Sequence, residues 1–159
     1  TIAAINGVAA GAGSSLAMSC DIVVAAPAAS FIQAFSKIGL IPDAGGTFLL
    51  AHRLGLARAT ALAMTGDKLS AAQAKEWGVV WEVAEDCVAA AEALAQRLAA
   101  MPTQALVRTR HLLRDAMTSS FEAQLQAERD AQSALAKTHD YFEGVTAFLE
   151  KRAPVFKGA

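Results

Sequence analysis

Cysteine is scarce in this 159-residue chain: Cys20 and Cys87 are the only two, far apart and without metal-ligand spacing. A disulfide framework and a cysteine metal knuckle are thereby excluded, and two buried free thiols in a reducing compartment are expected. Net charge is equally slight. Fourteen Lys and Arg stand against fifteen Asp and Glu, for a formal charge of −1. With a pI near 6.3, the chain has no electrostatic footprint for nucleic acid. Its basic residues are scattered, which argues against a membrane-surface patch, although a few local Lys or Arg suffice for an anionic ligand. No apolar run approaches the roughly 20 residues that a bilayer span requires. The apolar start, Thr1 to Ile5, lacks a basic flank and soon meets Asn6-Gly7, so no signal peptide is predicted. The chain reads as soluble and cytoplasmic. His52, His111 and His139 show no paired ligand spacing, so surface positions are expected and no metal is implied. Trp77 and Trp81 are expected to pack in a core or an interface.

What is present is a hydrophobic content of 54%, enough for a core of ordinary domain size. The chain starts without Met, inside an apolar run that reads as a buried strand, Ile2-Ala3-Ala4-Ile5. A natural domain seldom begins that way, and a fragment is expected. A small-residue turn, Gly11-Ala12-Gly13-Ser14-Ser15, leads into a short helix around Leu16-Ala17-Met18. Asp21 to Ala26 is a second buried strand, stopped by Pro27, and Ser30-Phe31-Ile32 a third. This strand–helix–strand rhythm favours an α/β class with parallel pairing.

Residues 46–66 predict one or two short helices ending at Gly66. Ser70-x-x-Gln73 is a capping box opening a helix that Gly78 ends, and Val79 to Val83 reads as a strand. The remainder is helical. One helix runs from Val88 to Ala100, and another from Pro102-Thr103 to about Met117. A third is opened by a capping box at Ser119-x-x-Glu122 and runs to about Lys137. The last begins at Asp140-x-x-Glu143 and is terminated by Pro154. No internal repeat is visible.

Two segments could carry chemistry. The Gly11 to Ser15 turn precedes a helix, where small residues admit a ligand close to the backbone and unpaired N–H groups favour negative charge. A phosphate, a carboxylate or a developing oxyanion would suit it; a tight structural turn is the alternative. The second segment is Ile41-Pro42-Asp43-Ala44-Gly45-Gly46-Thr47. Its acid lies between an apolar run and a glycine turn. It reads either as a helix N-cap or as a carboxylate in an apolar pocket, with its pKa raised for proton transfer. Glu150-Lys151-Arg152 reads as a solvated helix end, with phosphate binding the minority view.

Together these segments resemble a known family. Ala4 to Gly13, followed by Leu16-Ala17-Met18-Ser19-Cys20-Asp21, resembles the oxyanion-hole segment of the enoyl-CoA hydratase/isomerase (crotonase) superfamily. Gly39 to Thr47 resembles its second motif. Leu62 to Ala71 with Gly78-Val79-Val80 follows in order, and Glu143 to Arg152 resembles its C-terminal helix. The resemblance covers essentially the whole chain. It implies an α/β spiral of ββα units over residues 1–86, then a helical trimerisation and CoA-covering region over residues 87–159. Family members also carry an N-terminal half, with the first oxyanion donor and part of the CoA site, that this sequence lacks.

The resemblance further implies a mechanism in which two backbone N–H groups stabilise a thioester enolate. The matching donor here is the N–H of Ala12, where many members have Gly. Hydratases of the family use two glutamates, and the matching positions are Ser15 and Phe35, which cannot ionise usefully. Asp43 occupies the position used by isomerase and dehalogenase branches. Residues 38–47 and 76–83 are similar to the isomerases of aerobic phenylacetate breakdown, which convert a ring-1,2-epoxide of phenylacetyl-CoA to an oxepin-CoA and can shift a double bond. The resemblance implies Asp43 as proton shuttle and Phe35, Phe48 and Trp81 as apolar lining. Phe148 and Lys151 match positions that touch the CoA of a neighbouring subunit. It implies a homotrimer or dimer of trimers, and no cofactor beyond the CoA of the substrate. Hydration, nucleophilic attack by Asp43, and CoA-ester binding without catalysis stay open as alternatives.

Overall fold

The computed structural model describes residues 1–159. The chain divides into two compact units, Thr1–Leu94 and Ala95–Ala159. The division falls inside a helix, later than the 86/87 boundary read from sequence.

The first unit is built from strand–strand–helix turns. Strand β1 (Ile2–Ile5), β2 (Val8–Ala10) and helix α1 (Ala12–Ser19) make one turn. Strands β3 (Ile22–Ala25) and β4 (Ser30–Ile32) open the next. Each turn adds one strand to each of two sheets. β1 lies parallel to β3 with Ile2 opposite Ile22, and β2 parallel to β4 with Val8 opposite Ser30. The repeat is therefore topological, which is why no sequence period betrays it. A 3₁₀ turn at Ala34–Ile38 leads to α2 (Gly46–Leu54) and α3 (Leu56–Thr65). β5 (Lys68–Ser70) pairs antiparallel with β4, and α4 (Ala71–Glu76) follows. β6 (Glu82–Val83) completes the first sheet, whose strand order is β1–β3–β6.

Burial follows this order. β3 is central, and Val23, Val24 and Ala25 are all buried, as a parallel strand covered on both faces requires. β1 is an edge and only half-buried, with Ala4 exposed, so its expected full burial does not hold in this chain. Helix α1 buries Ser14, Ser15, Ala17 and Met18, a stripe at helical spacing. Met18, Phe31, Leu50, Leu62 and Leu69 join one core cluster. Each such large side chain contributes about 1.5–3 kcal/mol by leaving water.

Several sequence expectations need correction. Val79 and Val80 are not strand: both N–H groups donate to the Ala74 carbonyl at the end of α4, so pairing starts only at Glu82. Trp77 is half-buried under the Arg58 guanidinium, whereas Trp81 is 67% exposed and lies outside the core of this chain. Cys87 is buried, Cys20 only half-buried, and both thiols are free.

The second unit takes in the end of α5 (Cys87–Ala99), with α6 (Thr103–Asp115), α7 (Phe121–Leu135) and α8 (His139–Glu150). Two predicted starts are displaced. Ser120, not Ser119, caps α7 by accepting from the Ala123 N–H, because Ser119 is committed to the Asp115 carbonyl that closes α6. Thr138 caps α8 through the Tyr141 N–H, while Asp140 holds the C-terminal tail instead. α8 ends at Glu150, ahead of Pro154, with Lys151 left-handed. No helix is long and apolar enough to cross a membrane.

Candidate active site

The site is organised by the junction between β2 and α1. Gly11 adopts φ 54° and ψ −125°, a conformation that side chains resist. Its N–H donates to the Ile32 carbonyl on β4 at 2.8 Å, and its own carbonyl accepts from Ser14 and Ser15. These bonds aim the first turn of α1. Ala12 is the first helical residue, so its N–H has no carbonyl one turn behind it, and the residue is exposed. Such an N–H is a donor available to an oxyanion.

Phe35 closes one side of this turn. A Cβ placed on Gly11 would stand 3.3 Å from Phe35 Cζ. The aromatic ring thus packs against Gly11, which places the sequence-predicted Phe35 beside the turn that Ala12 follows.

Asp43 lies in the loop entering α2, and α2 packs on α1. The Arg53 guanidinium of α2 also donates to the Cys20 carbonyl at the end of α1. Asp43 is not a helix cap. Gly45 holds the N-cap position of α2 with no side-chain cap, and only the Asp43 backbone carbonyl is used, accepting the Gly46 N–H at 2.7 Å. Nor does this chain bury it: Asp43 is exposed, so the enclosed apolar pocket expected around it is not formed by these residues. Its neighbours Ile41 and Leu40 are 77% and 60% exposed, so the carboxylate sits on an open apolar rim.

Phe48 is 59% exposed and lies in the first turn of α2. Its ring stacks on His52, with centroids 3.8 Å apart. His52 Nδ1 lies 2.8 Å from the Phe48 carbonyl; a carbonyl only accepts, so Nδ1 carries the proton. The spacing of four between Phe48 and His52 was a legible sign of this pair. Trp81 enters β6, and its N–H donates to the Val23 carbonyl. This bond ties its backbone to the first sheet.

Neither Ser15 nor Phe35 offers a carboxylate. Ser15 is fully buried and its hydroxyl has no protein partner. The Ser14 hydroxyl and the Gln33 amide are likewise buried without partners, beside a cavity of about 10 Å³. Ser14 lies in the turn that the sequence singled out, whereas no motif pointed to Gln33. No cluster of three or more His, Cys, Asp or Glu side chains that could hold a metal is present.

In the second unit, Phe148 (81% exposed) and Lys151 lie within one turn of each other at the end of α8. The Lys151 N–H donates to the Phe148 carbonyl, and its φ of 55° turns the chain out of the helix. Beyond it, Arg152 grips Glu143 with two bonds of 2.6 and 2.8 Å and reaches Glu150 at 2.7 Å. Arg152, with help from the Val155 N–H, lowers the Glu143 pKa from 4.5 to about 2. Asp140 is held below its ordinary value, chiefly by the Lys157 N–H and then by that of Gly158.

The enoyl-CoA hydratase/isomerase family pattern matches residues 1–159. Among curated proteins, the 1,2-epoxyphenylacetyl-CoA isomerase of Escherichia coli (strain K12) is 51% identical over 159 residues, covering 99% of this chain and 61% of that protein. A probable enoyl-CoA hydratase of Rhodobacter capsulatus is 42% identical, covering 99% and 62%. Among solved structures, an enoyl-CoA hydratase from Polaromonas sp. JS666 superposes with a TM-score of 0.95 at 39% identity, covering 98% of this chain and 62% of that one. An enoyl-CoA hydratase/isomerase fold from Mycobacterium abscessus gives 0.97 at 38% identity, covering 99% and 62%. The chain spans about three fifths of the length of these relatives.

Proposed function

This chain belongs to the enoyl-CoA hydratase/isomerase family, and on that footing we propose that it serves an acyl-CoA isomerase with Asp43 as its proton shuttle. The observation that carries the reading is the set of side chains at the acid/base positions. Ser15 is a buried hydroxyl, Phe35 is a ring against Gly11, and Asp43 alone is a carboxylate, free of any capping role. Hydration in this family needs carboxylates to activate water. Isomerisation needs one base that takes a proton at one carbon and returns it at another.

The Ala12 N–H would take part of the charge on the thioester oxygen as the enolate forms. Asp43 would remove and return the proton on one face of the substrate. The favoured substrate is the ring-1,2-epoxide of phenylacetyl-CoA, rearranged to an oxepin-CoA without gain or loss of atoms, with an enoyl-CoA double-bond shift as a second activity. The 51% identical isomerase supports this choice over the hydratases that also match. Phe35, Phe48 and Trp81 would line the acyl group. The exposed Phe148 and Lys151 would meet the CoA of a neighbouring subunit in a homotrimer or dimer of trimers, the lysine opposite a phosphate. No cofactor beyond the CoA of the substrate is required.

The test is Asp43→Asn in the natural full-length polypeptide, assayed by mass spectrometry on the epoxide, a 3-enoyl-CoA and a 2-enoyl-CoA. Isomerisation is expected to fall by about 10²–10⁴-fold, the usual worth of a positioned proton-transfer group. Unchanged turnover in the variant, or rapid hydration of the 2-enoyl-CoA by the parent protein, would sink the single-carboxylate reading.

A further inference from the structure

Gly46 is the first residue of α2 and has no positive φ, so its backbone does not demand glycine. Its surroundings do. A Cβ at position 46 would stand 2.6 Å from Ser15 Oγ and 3.1 Å from Pro42 Cβ. That is closer than packed atoms tolerate, so α1 and the start of α2 meet here without spare room. Ser15 is fully buried, and its hydroxyl has no hydrogen-bond partner in the protein. A buried hydroxyl that satisfies no bond is an expensive way to fill space. What it does contact is the turn that carries Asp43.

That turn is strained. Ala44, a non-glycine, has φ 49°, and Gly45 has φ 76°. Left-handed backbone at a non-glycine persists only when its surroundings hold it. Two restraints are visible: the Gly46 N–H bonded to the Asp43 carbonyl, and Ser15 Oγ against Gly46.

We propose that Ser15 is a positioning residue for Asp43. Its Oγ braces Gly46 and thereby fixes the Asp43–Gly45 turn against α1, the helix whose first N–H is that of Ala12. The proposal rests on the Asp43 reading above. It makes side-chain size at positions 15 and 46 interdependent, and it lets position 15 govern proton transfer without touching substrate.

The test compares Gly46→Ala, Ser15→Ala and the double variant in the natural full-length polypeptide, reading kcat, KM and Tm for isomerisation. Gly46→Ala is expected to lose about 100-fold in kcat with little change in KM, the effect of misplacing a reacting group by about 1 Å. Adding Ser15→Ala removes the 2.6 Å overlap and is expected to recover about tenfold. A double variant as impaired as Gly46→Ala alone would overturn the proposal. Should Gly46→Ala fail to fold, Ser15→Ala decides. A kcat about fivefold lower with KM and Tm retained supports the brace, and an unchanged kcat overturns it. If instead Asp43→Asn is fully active, the underlying reading fails, and any 15/46 coupling would appear in Tm alone.

Discussion

Gly11 shows how one residue can set a site. Its backbone conformation disfavours a side chain, and the Phe35 ring leaves little room for one. Gly11→Ala should therefore cost about 1–3 kcal/mol in chemical denaturation, the usual cost of a forced backbone outlier. A denaturation midpoint equal to that of the parent would refute that account. Asp43 teaches a different lesson. Its sequence neighbours, Ile41-Pro42 and Ala44-Gly45, suggested either a cap or a buried acid. The structure makes it neither, because Gly45 takes the cap position and the flanking apolar residues point outward. The residue type and position were legible in the sequence, and the environment was not.

At the scale of elements, most starts and stops were written locally. Ser70 caps α4 through the Gln73 N–H, and Gly66 ends α3 in a left-handed conformation, both as the pattern implied. The exceptions share one cause, which is competition between adjacent elements for the same polar group. Ser119 serves the end of α6 and so cannot open α7. Ser120→Ala should accordingly cost about 1 kcal/mol, the typical worth of an N-cap. Ser119→Ala should cost distinctly less, since its hydroxyl bonds an exposed carbonyl. Thermal melts of the two variants separate these positions, and the reverse ranking would mean that the helix starts one residue earlier. Val79 and Val80 lost their strand assignment in the same way, to the Ala74 carbonyl.

At the scale of the whole molecule, one acid-sensitive clasp lies in the second unit. Asp140 and Glu143 hold the C-terminal tail through the N–H groups of Lys157, Gly158 and Val155. Both carboxyls have folded pKa values below their ordinary ones, so their contribution is complete above the ordinary value of 4.5 for Glu143 and fades as pH falls toward about 2. Hydrogen exchange followed by mass spectrometry should then show residues 153–159 losing protection between pH 4.5 and 2, ahead of the β3 strand. Equal loss in both regions, or a tail unaffected by acid, would contradict the clasp.

The sequence by itself determined the α/β class, most helix boundaries, the family resemblance and the identities of Ala12, Phe35 and Asp43 as candidates. The class and the boundaries rest on periodicity and capping read over a few residues, and the three candidates rest on the family resemblance. Only the tertiary structure decided what touches what. It set Phe35 against Gly11, Ser15 against Gly46, Phe48 on His52 and Asp140 under the tail. The Ser15–Gly46 contact joins two helices far apart in the chain. Its physical basis is excluded volume between atoms that become neighbours only when α1 and α2 pack.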